Sequence, residues 1–168
     1  IFVGQVGVQK GIHHLLEAWS ALGFSAKEAE LLIVGDLMHD GKKILKKYKN
    51  DASIVVKGPV AHKKLGDLYR SSTLFVLPSI QEGMAMVVGE AMASSLPVIA
   101  TTKTGAAELI KNGEHGFIIE PGQVGALAQK ILWCFKNSEE CFQMGRNALA
   151  RIQNFSWEHY GDSIFKEY

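Results

Sequence analysis

The sequence has little excess charge of either sign, few cysteines and no long apolar run. Its 168 residues include 18 basic and 17 acidic side chains, which leaves a net charge of +1. A chain so evenly balanced has no overall attraction for nucleic acid or for an anionic membrane, so any basic contacts must be local. No apolar run approaches the roughly 18 residues that a membrane-spanning helix needs, so no transmembrane segment is expected.

Two cysteines are present, Cys134 and Cys141. Their spacing is neither that of a redox Cys-x-x-Cys motif nor that of a zinc site. The sequence also contains no Asp-x-Asp motif. None of these metal-binding patterns is therefore present, and we expect both cysteines to be small core residues of one helix in a reducing, cytoplasmic setting.

Short β-rich runs alternate with helical patterns along the chain. Most of the strand candidates are continuously apolar, which is typical of parallel strands covered on both faces. The predicted strands are Ile1–Gly4, Leu31–Gly35, Ser53–Gly58, Leu74–Pro78, Pro97–Thr101 and Gly116–Glu120. The predicted helices are Gly11–Ala21, Lys42–Lys49, His62–Arg70, Gly83–Ser94, Gly105–Lys111, Val124–Lys136 and Glu139–Gln153, with a closing helix capped by Ser156. This alternation predicts one α/β domain with a doubly wound, mainly parallel, Rossmann-like sheet and helices on both faces.

A glycine-rich loop follows the first predicted strand and opens a helix. Gly4, Gly7 and Gly11 let the backbone approach an anion, the helix N-terminus offers N–H groups, and Lys10 adds a positive charge. These features suggest a phosphate site, although the spacing is neither that of a Walker A loop nor Gly-x-Gly-x-x-Gly. A plain glycine-rich turn with a solvated lysine is the alternative interpretation.

A second strand-loop-helix passage carries two glutamates. Glu82 opens the predicted helix, and Glu90 follows after seven intervening residues. Backbone N–H groups around Gly83, Met84 and Ala85 would face the carboxyl edge of the sheet, where such folds bind ligands. Glu90 would lie roughly 10 Å further along the helix axis. That distance suits a ligand whose sugar, pyrophosphate and ribose lie in a row, because a carboxylate can accept two hydrogen bonds from a ribose diol.

Simpler interpretations of the polar residues remain open. Glu82 could complement the helix dipole, and Glu90 could be a partly exposed rim residue. His13 and His14 are expected at a helix surface with half-buried, hydrogen-bonded rings, and the alternative is that one of them faces the phosphate. The basic run Lys42–Lys49 is expected to be a solvated face. The three tryptophans are expected to pack in the core rather than to stack on a sugar.

The segment "EGMAMVVGEAMASSLPVIAT" resembles the signature of the retaining GT-B glycosyltransferases of family 4, the glycosyl transferases group 1 family. That signature has Glu-Gly, a second Glu after seven residues, a run of small residues and a Pro-Val-Ile-Ala strand; Leu96 replaces its usual glycine. The opening "FVGQVGVQKGIHHLLEAW" is similar to the start of the family's C-terminal domain. "LLIVGD", "LGDLYRSSTLFVLPS" and "TGAAELIKNGEHGFIIEPG" also follow the pattern, so the resemblance runs from Phe2 to about Tyr168.

The resemblance implies a role for each residue of the predicted donor site. Lys10 would bind the donor pyrophosphate and Glu82 would contact the donor sugar near the reacting centre; these are the two predicted catalytic residues. Glu90 would hold the ribose hydroxyls. Gln5 stands where the family often has an arginine, and Val60 would meet the base through backbone. The full set of predicted donor-binding residues is Gly4, Gln5, Val60, Gly83, Met84, Ala85, Val87 and Glu90.

These roles would make residues 1–168 the nucleotide-sugar-binding domain of a two-domain enzyme. The strand-like start at Ile1 leads us to expect a piece of a longer polypeptide whose N-terminal acceptor domain is absent here, so the chain alone should not turn over. Any contact with a membrane would be peripheral and would be made by that missing domain.

The expected reaction moves a hexosyl group from a nucleoside-diphosphate sugar to a glycan, lipid or other acceptor. By the resemblance it retains the anomeric configuration, needs neither metal nor other cofactor, and serves polysaccharide biosynthesis. Two alternatives stay open: a nucleotide-sugar epimerase of GT-B type, and a non-catalytic nucleotide-binding module. The missing arginine at Gln5 is the feature that favours the second.

Overall fold

The computed structural model describes residues 1–83 and 86–154. The strands are β1 (Phe2–Val3), β2 (Leu31–Val34), β3 (Ile54–Gly58), β4 (Phe75–Leu77), β5 (Val98–Thr101) and β6 (Gly116–Ile119). The helices are α1 (Ile12–Leu22), α2 (His39–Leu45), α3 (His62–Arg70), α4 (Met86–Ala93), α5 (Ala106–Leu109), α6 (Val124–Lys136) and α7 (Ser138–Gln153). Short 3₁₀ turns cover Val8–Lys10 and Lys46–Tyr48.

The strands are parallel and form two three-stranded sheets, in the orders β1-β2-β3 and β4-β5-β6. The backbone of Ile1 joins the two sheets: its nitrogen donates to the Leu74 carbonyl at 2.7 Å, and its carbonyl accepts from the Val76 nitrogen at 2.9 Å. The spatial order is therefore 3-2-1-4-5-6, the order of doubly wound folds, with the switch point between β1 and β4. The predicted α/β fold class is confirmed.

Helices cover the sheet because right-handed crossovers run outward from the switch point in both directions. Helix α1 packs on α6 and α2, and α4 packs on α7. The apolar stripe predicted for the first helix is buried, from Ile12 at 0% exposure to Trp19 at 7%. Strands β4 and β5 are wholly buried, as their continuous apolar runs predict. Strand β3 departs from that prediction because it forms an edge, and its Val56 is 40% exposed.

Most predicted element bounds lie within two residues of the observed ones. The clearest difference is α2, which begins at His39 rather than Lys42 and passes into a 3₁₀ turn after Leu45. The helix predicted from Gly83 is described from Met86 onward. The closing helix predicted at Ser156 lies outside the described residues.

The prediction that both cysteines belong to one helix is wrong. Cys134 lies in α6 and Cys141 lies in α7, because the chain turns at Asn137 between them. Both thiols are buried, as expected of core residues. They pack where the two helices meet, and Cys141 Sγ lies 3.9 Å from the Thr73 carbonyl oxygen. Within residues 1–83 and 86–154, no helix is long and apolar enough to cross a membrane.

Candidate functional site

Loop 1, which we define as residues 4–11, connects β1 to α1 at the switch point. It leaves β1 at Gly4, forms the 3₁₀ turn Val8–Lys10 and enters α1 through Gly11, whose φ is +70°. A Cβ atom on Gly11 would lie 1.9 Å from the Pro78 carbonyl oxygen. Only glycine therefore allows loop 1 to pack directly against the end of β4.

Loop 4, which we define as residues 78–83, follows β4 and is tied to its neighbours by backbone hydrogen bonds. The Ile80 nitrogen donates to the Gln9 carbonyl in loop 1 at 2.9 Å. The Glu82 nitrogen donates to the Lys103 carbonyl, in the loop after β5, at 2.8 Å. Three loops from adjacent strands thus converge at the carboxyl edge of the sheet, as the fold predicts for a ligand site.

The outer side of loop 1 is held by Asp40 from α2. Its Oδ2 accepts a hydrogen bond from the Val8 nitrogen at 2.7 Å. This bond stabilises the charged form and lowers the pKa of the Asp40 carboxyl. The Val8 N–H is consequently taken by the protein, so an anion at this loop would depend on other N–H groups and on Lys10.

Lys10 and Glu82, the two predicted catalytic residues, form an ion pair across loops 1 and 4. Their side chains are only 19% and 18% exposed. The Ser79 hydroxyl, which is fully buried, donates to Glu82 Oε2 at 3.1 Å. The Thr101 hydroxyl in turn donates to the Ser79 carbonyl at 2.6 Å. Glu82 thus accepts a hydrogen bond from the buried Ser79 hydroxyl on one side and pairs with Lys10 on the side of the cleft.

Glu90 lies on α4 and faces α3. Its Oε2 accepts a hydrogen bond from the Tyr69 hydroxyl at 3.0 Å, and its Oε1 lies 3.0 Å from His62 Nε2. Tyr69 is 2% exposed, whereas Glu90 keeps 27% of its side chain open. Burial and the neighbouring carboxylate raise the pKa of Tyr69 well above its usual range. The tyrosine hydroxyl therefore keeps its proton near neutral pH and acts as a donor.

The other predicted donor-binding residues lie in the segments that follow strands β1, β3 and β4. Gln5 is exposed at the start of loop 1, and Gly83 is exposed at the end of loop 4. Val60 is half-buried just before α3, and Val87 is half-buried in the first turn of α4. Met84 and Ala85 lie outside the described residues, so their predicted backbone contacts stay predictions.

His13 and His14 lie in the first turn of α1, directly after loop 1. Their rings are in contact, with centroids 3.8 Å apart, and both are half-buried, as expected. Burial and the neighbouring His14 lower the pKa of His13, so the first ring favours its neutral form. Neither Nδ1 atom has a hydrogen-bond partner among the described residues.

Three polar residues around the glutamates were not identified from the sequence: Ser79, His62 and Tyr69. Ser79 follows the proline that ends β4, and a hydroxyl directly after a buried strand could have marked it. His62 and Tyr69 are seven residues apart in a predicted helix, a spacing that places both on one face. No sequence pattern shows that this face meets Glu90, since the contact depends on how α3 packs beside α4.

The described residues contain no group of three or more histidine, cysteine, aspartate or glutamate side chains that could hold a metal ion. Independence from metal stays a prediction.

The model of the family described as glycosyl transferases group 1 matches residues 1–151 of this chain. The chain belongs to this family. Capsular polysaccharide biosynthesis glycosyltransferase CapM of Staphylococcus aureus is 31% identical over 158 residues, which cover 91% of this chain and 40% of CapM. An uncharacterized glycosyltransferase of Methanocaldococcus jannaschii is 32% identical, over 100% of this chain and 47% of the relative. The group 1 chain thus spans less than half the length of these relatives.

Solved structures show the same architecture. The sucrose-phosphate synthase of Thermosynechococcus elongatus superposes with a TM-score of 0.80 and 26% identity, over 99% of this chain and 44% of that one. The structure of Anabaena HepE in complex with UDP-glucose superposes with a TM-score of 0.79 and 24% identity, over 99% and 48%. The second likeness concerns the fold alone.

Proposed function

We propose that this group 1 chain is the donor-binding domain of a glycosyltransferase that takes a hexosyl group from a nucleoside-diphosphate sugar. The observation that carries the proposal is the Lys10–Glu82 pair at the switch point, with Glu90 on the helix that follows. Lys10 would bind the pyrophosphate of such a donor, Glu82 would bind its sugar, and Glu90 would bind its ribose. The structure of HepE holds UDP-glucose, which supports this ligand class for the shared fold.

The proposed chemistry breaks the bond between the anomeric carbon and the donor phosphate oxygen and forms a bond from that carbon to the acceptor oxygen. The leaving diphosphate gains one negative charge, and the acceptor hydroxyl releases one proton. Lys10 stabilises the negative charge, and its position in the half-buried cleft increases its effect. Glu82 orients sugar hydroxyls and stabilises positive character at the anomeric carbon.

Retention of configuration, independence from metal and inactivity of this chain without an acceptor domain are further parts of the proposal. The curated relatives are more than twice as long as the matched region, which leaves room in them for a second domain. Their glycosyltransferase names favour transfer over the epimerase alternative. A cytoplasmic location and a role in polysaccharide assembly also remain proposals, supported by relatives such as CapM.

Calorimetric titration of the chain with UDP, GDP and ADP in metal-free buffer tests the proposal. We expect one of the three to bind selectively, and we expect Glu90→Ala to weaken that binding by roughly 10- to 100-fold, because charge-assisted hydrogen bonds to the ribose are lost. Glu139→Ala, an exposed glutamate at the start of α7, is the matched control and should leave binding unchanged. A folded chain that binds none of the three nucleotides contradicts the proposal.

Replacing Gln5 by arginine tests the departure from the family pattern. Gln5 is exposed at the start of loop 1, so a guanidinium there can reach an anion without burial. We expect Gln5→Arg to strengthen binding of the selected nucleoside diphosphate by roughly threefold to tenfold at low salt, and less at high salt. Gln143→Arg, on the exposed face of α7, adds the same charge elsewhere and should have no such effect. Equal gains from both variants would mean that only the overall charge matters.

A further inference from the structure

The Glu90 carboxylate is held by two side chains of one helix. His62 begins α3 and Tyr69 lies seven residues later, so both project from the same face of α3 toward α4. Each contacts a different oxygen of Glu90: His62 Nε2 lies 3.0 Å from Oε1, and the Tyr69 hydroxyl lies 3.0 Å from Oε2. The carboxylate therefore has one oxygen bound toward the core and one toward the solvent.

The two contacts differ sharply in burial. Tyr69 is 2% exposed and its ring packs edge-on against Phe75, with centroids 6.0 Å apart, so its hydroxyl is fixed in place. The His62 side chain is 83% exposed. An exposed pair contributes little and is easily displaced, whereas a buried hydroxyl that donates to a carboxylate is a strong and lasting partner. A ligand at Glu90 can displace His62 but not Tyr69.

We propose that Tyr69 is a positioning residue that sets the Glu90 carboxylate for a ribose diol, and that His62 holds the ribose position until a ligand displaces it. This inference rests on the proposed function. A carboxylate offers about four lone-pair directions, and the Tyr69 hydroxyl uses one of them on Oε2. The direction fixed in this way leaves Oε1 pointing to the open side, where His62 marks a hydrogen-bonding position that two vicinal hydroxyls can take over.

The proposal predicts that the chain distinguishes ribonucleotides from 2′-deoxyribonucleotides. A nucleotide that lacks the 2′-hydroxyl makes one hydrogen bond fewer to Glu90, so the chain should prefer ribonucleotides. That preference requires the carboxylate to be held in one orientation. Without the Tyr69 hydroxyl the carboxylate can rotate to suit either sugar, and the preference should shrink while binding of the base and diphosphate persists.

The experiment is calorimetric titration with UDP, GDP and ADP and with their 2′-deoxy forms. For the nucleotide that the chain selects, we expect a preference of about tenfold or more for the ribose form. Tyr69→Phe keeps the ring and removes only the hydroxyl; it should bind the deoxy form within about twofold of the parent chain while its ribose preference falls to roughly threefold or less. His62→Ala should bind the ribose form at least as tightly as the parent chain.

Tyr48→Phe is the matched control, since Tyr48 lies in the 3₁₀ turn after α2 and its hydroxyl makes no side-chain hydrogen bond among the described residues. It should leave the ribose preference unchanged. Glu90→Gln changes the acceptor of the Tyr69 hydrogen bond, and we expect it to reduce the ribose preference as well. Adding Tyr69→Phe to Glu90→Gln should reduce that preference no further.

Each contrary result has a distinct meaning. A ribose preference that survives Tyr69→Phe overturns the inference and leaves the proposed function standing. Equal weakening of both sugar forms by Tyr69→Phe shows a merely structural tyrosine and also overturns it. If the parent chain shows no ribose preference, the proposed role of Glu90 is contradicted as well. If the folded chain binds no nucleotide at all, the proposed function itself is contradicted.

Discussion

Replacing Gly11 by alanine is expected to lower the free energy of unfolding by about 3–5 kcal/mol, a large part of the usual stability of a domain. Two costs combine at this position. The backbone of Gly11 has a φ of +70°, which costs a residue with a Cβ atom roughly 1–2 kcal/mol. The new methyl group would also lie 1.9 Å from the Pro78 carbonyl oxygen, so loop 1 or the end of β4 must move. Chemical denaturation at constant temperature measures the change.

Gly23 provides a matched control at the other end of α1. Its φ of +65° is almost the same, but a Cβ atom there would meet nothing within 4 Å. Gly23→Ala should therefore cost only the backbone term, roughly 1–2 kcal/mol. The difference between the two variants isolates the close approach of loop 1 to β4. Equal destabilisation by both would show that this close approach contributes nothing to stability.

Gly11→Ala should also increase the distance between the two predicted catalytic residues, Lys10 and Glu82. Gly11 directly follows Lys10, and Pro78 lies four residues before Glu82, so a shift of loop 1 away from the end of β4 is expected to move the two partners of the ion pair apart. A Gly11→Ala chain that remains folded should consequently bind nucleoside diphosphates more weakly than Gly23→Ala does. Stability and binding are thus linked through one backbone contact at the switch point.

The sequence predicted the fold well because its main signal, apolar runs alternating with helical patterns, reflects local structure and burial. Glu82 and Lys10 could be placed together because both follow strands, and strand ends meet at one edge of a parallel sheet. The support of Glu90 by Tyr69 could not be predicted, since it depends on the packing of α3 beside α4. The cysteine prediction failed for a different reason: it did not follow the helix bounds predicted from the same sequence, which already place Cys134 and Cys141 in separate helices.

The two glutamates of the site are supported in parallel ways. Glu82 receives a hydrogen bond from the buried Ser79 hydroxyl and pairs with Lys10 at the cleft. Glu90 receives one from the buried Tyr69 hydroxyl and pairs with His62 at the surface. Each carboxylate thus has a fixed neutral donor and a second partner that a ligand could replace. This arrangement holds both groups in position without neutralising them permanently.

Substitutions at Lys10 and Glu82 are expected to change nucleoside-diphosphate affinity in opposite directions. Lys10→Ala should weaken binding by roughly 10- to 100-fold, because a charge-assisted contact is lost and Glu82 is left unpaired beside the phosphates. Glu82→Gln should strengthen it by about fivefold, because Lys10 no longer shares its charge with a carboxylate. The Ser79 hydroxyl can still donate to the glutamine oxygen, so the local structure should persist.

The double variant makes the test quantitative. The cost of Lys10→Ala in a Glu82→Gln background, compared with its cost in the parent chain, gives the coupling energy of the pair for ligand binding. Lys111→Ala is the matched control, since it removes one partner of the exposed Lys111–Glu114 ion pair in the turn before β6. It should leave the nucleoside-diphosphate affinity unchanged, because 76% of this lysine side chain is exposed.

Comparison of the nucleoside diphosphate with its sugar ester then separates the two residues' roles. Glu82→Gln is expected to strengthen contacts to the diphosphate and, if Glu82 contacts the sugar, to weaken hydrogen bonds to the sugar hydroxyls. The variant should then bind the nucleoside-diphosphate sugar no more tightly than the parent chain does, although it binds the plain nucleoside diphosphate more tightly. Weakening of the plain nucleoside diphosphate by Glu82→Gln would instead place this carboxylate on the nucleotide. The sugar-binding role of Glu82 would then have to pass to another group at the open side of the cleft.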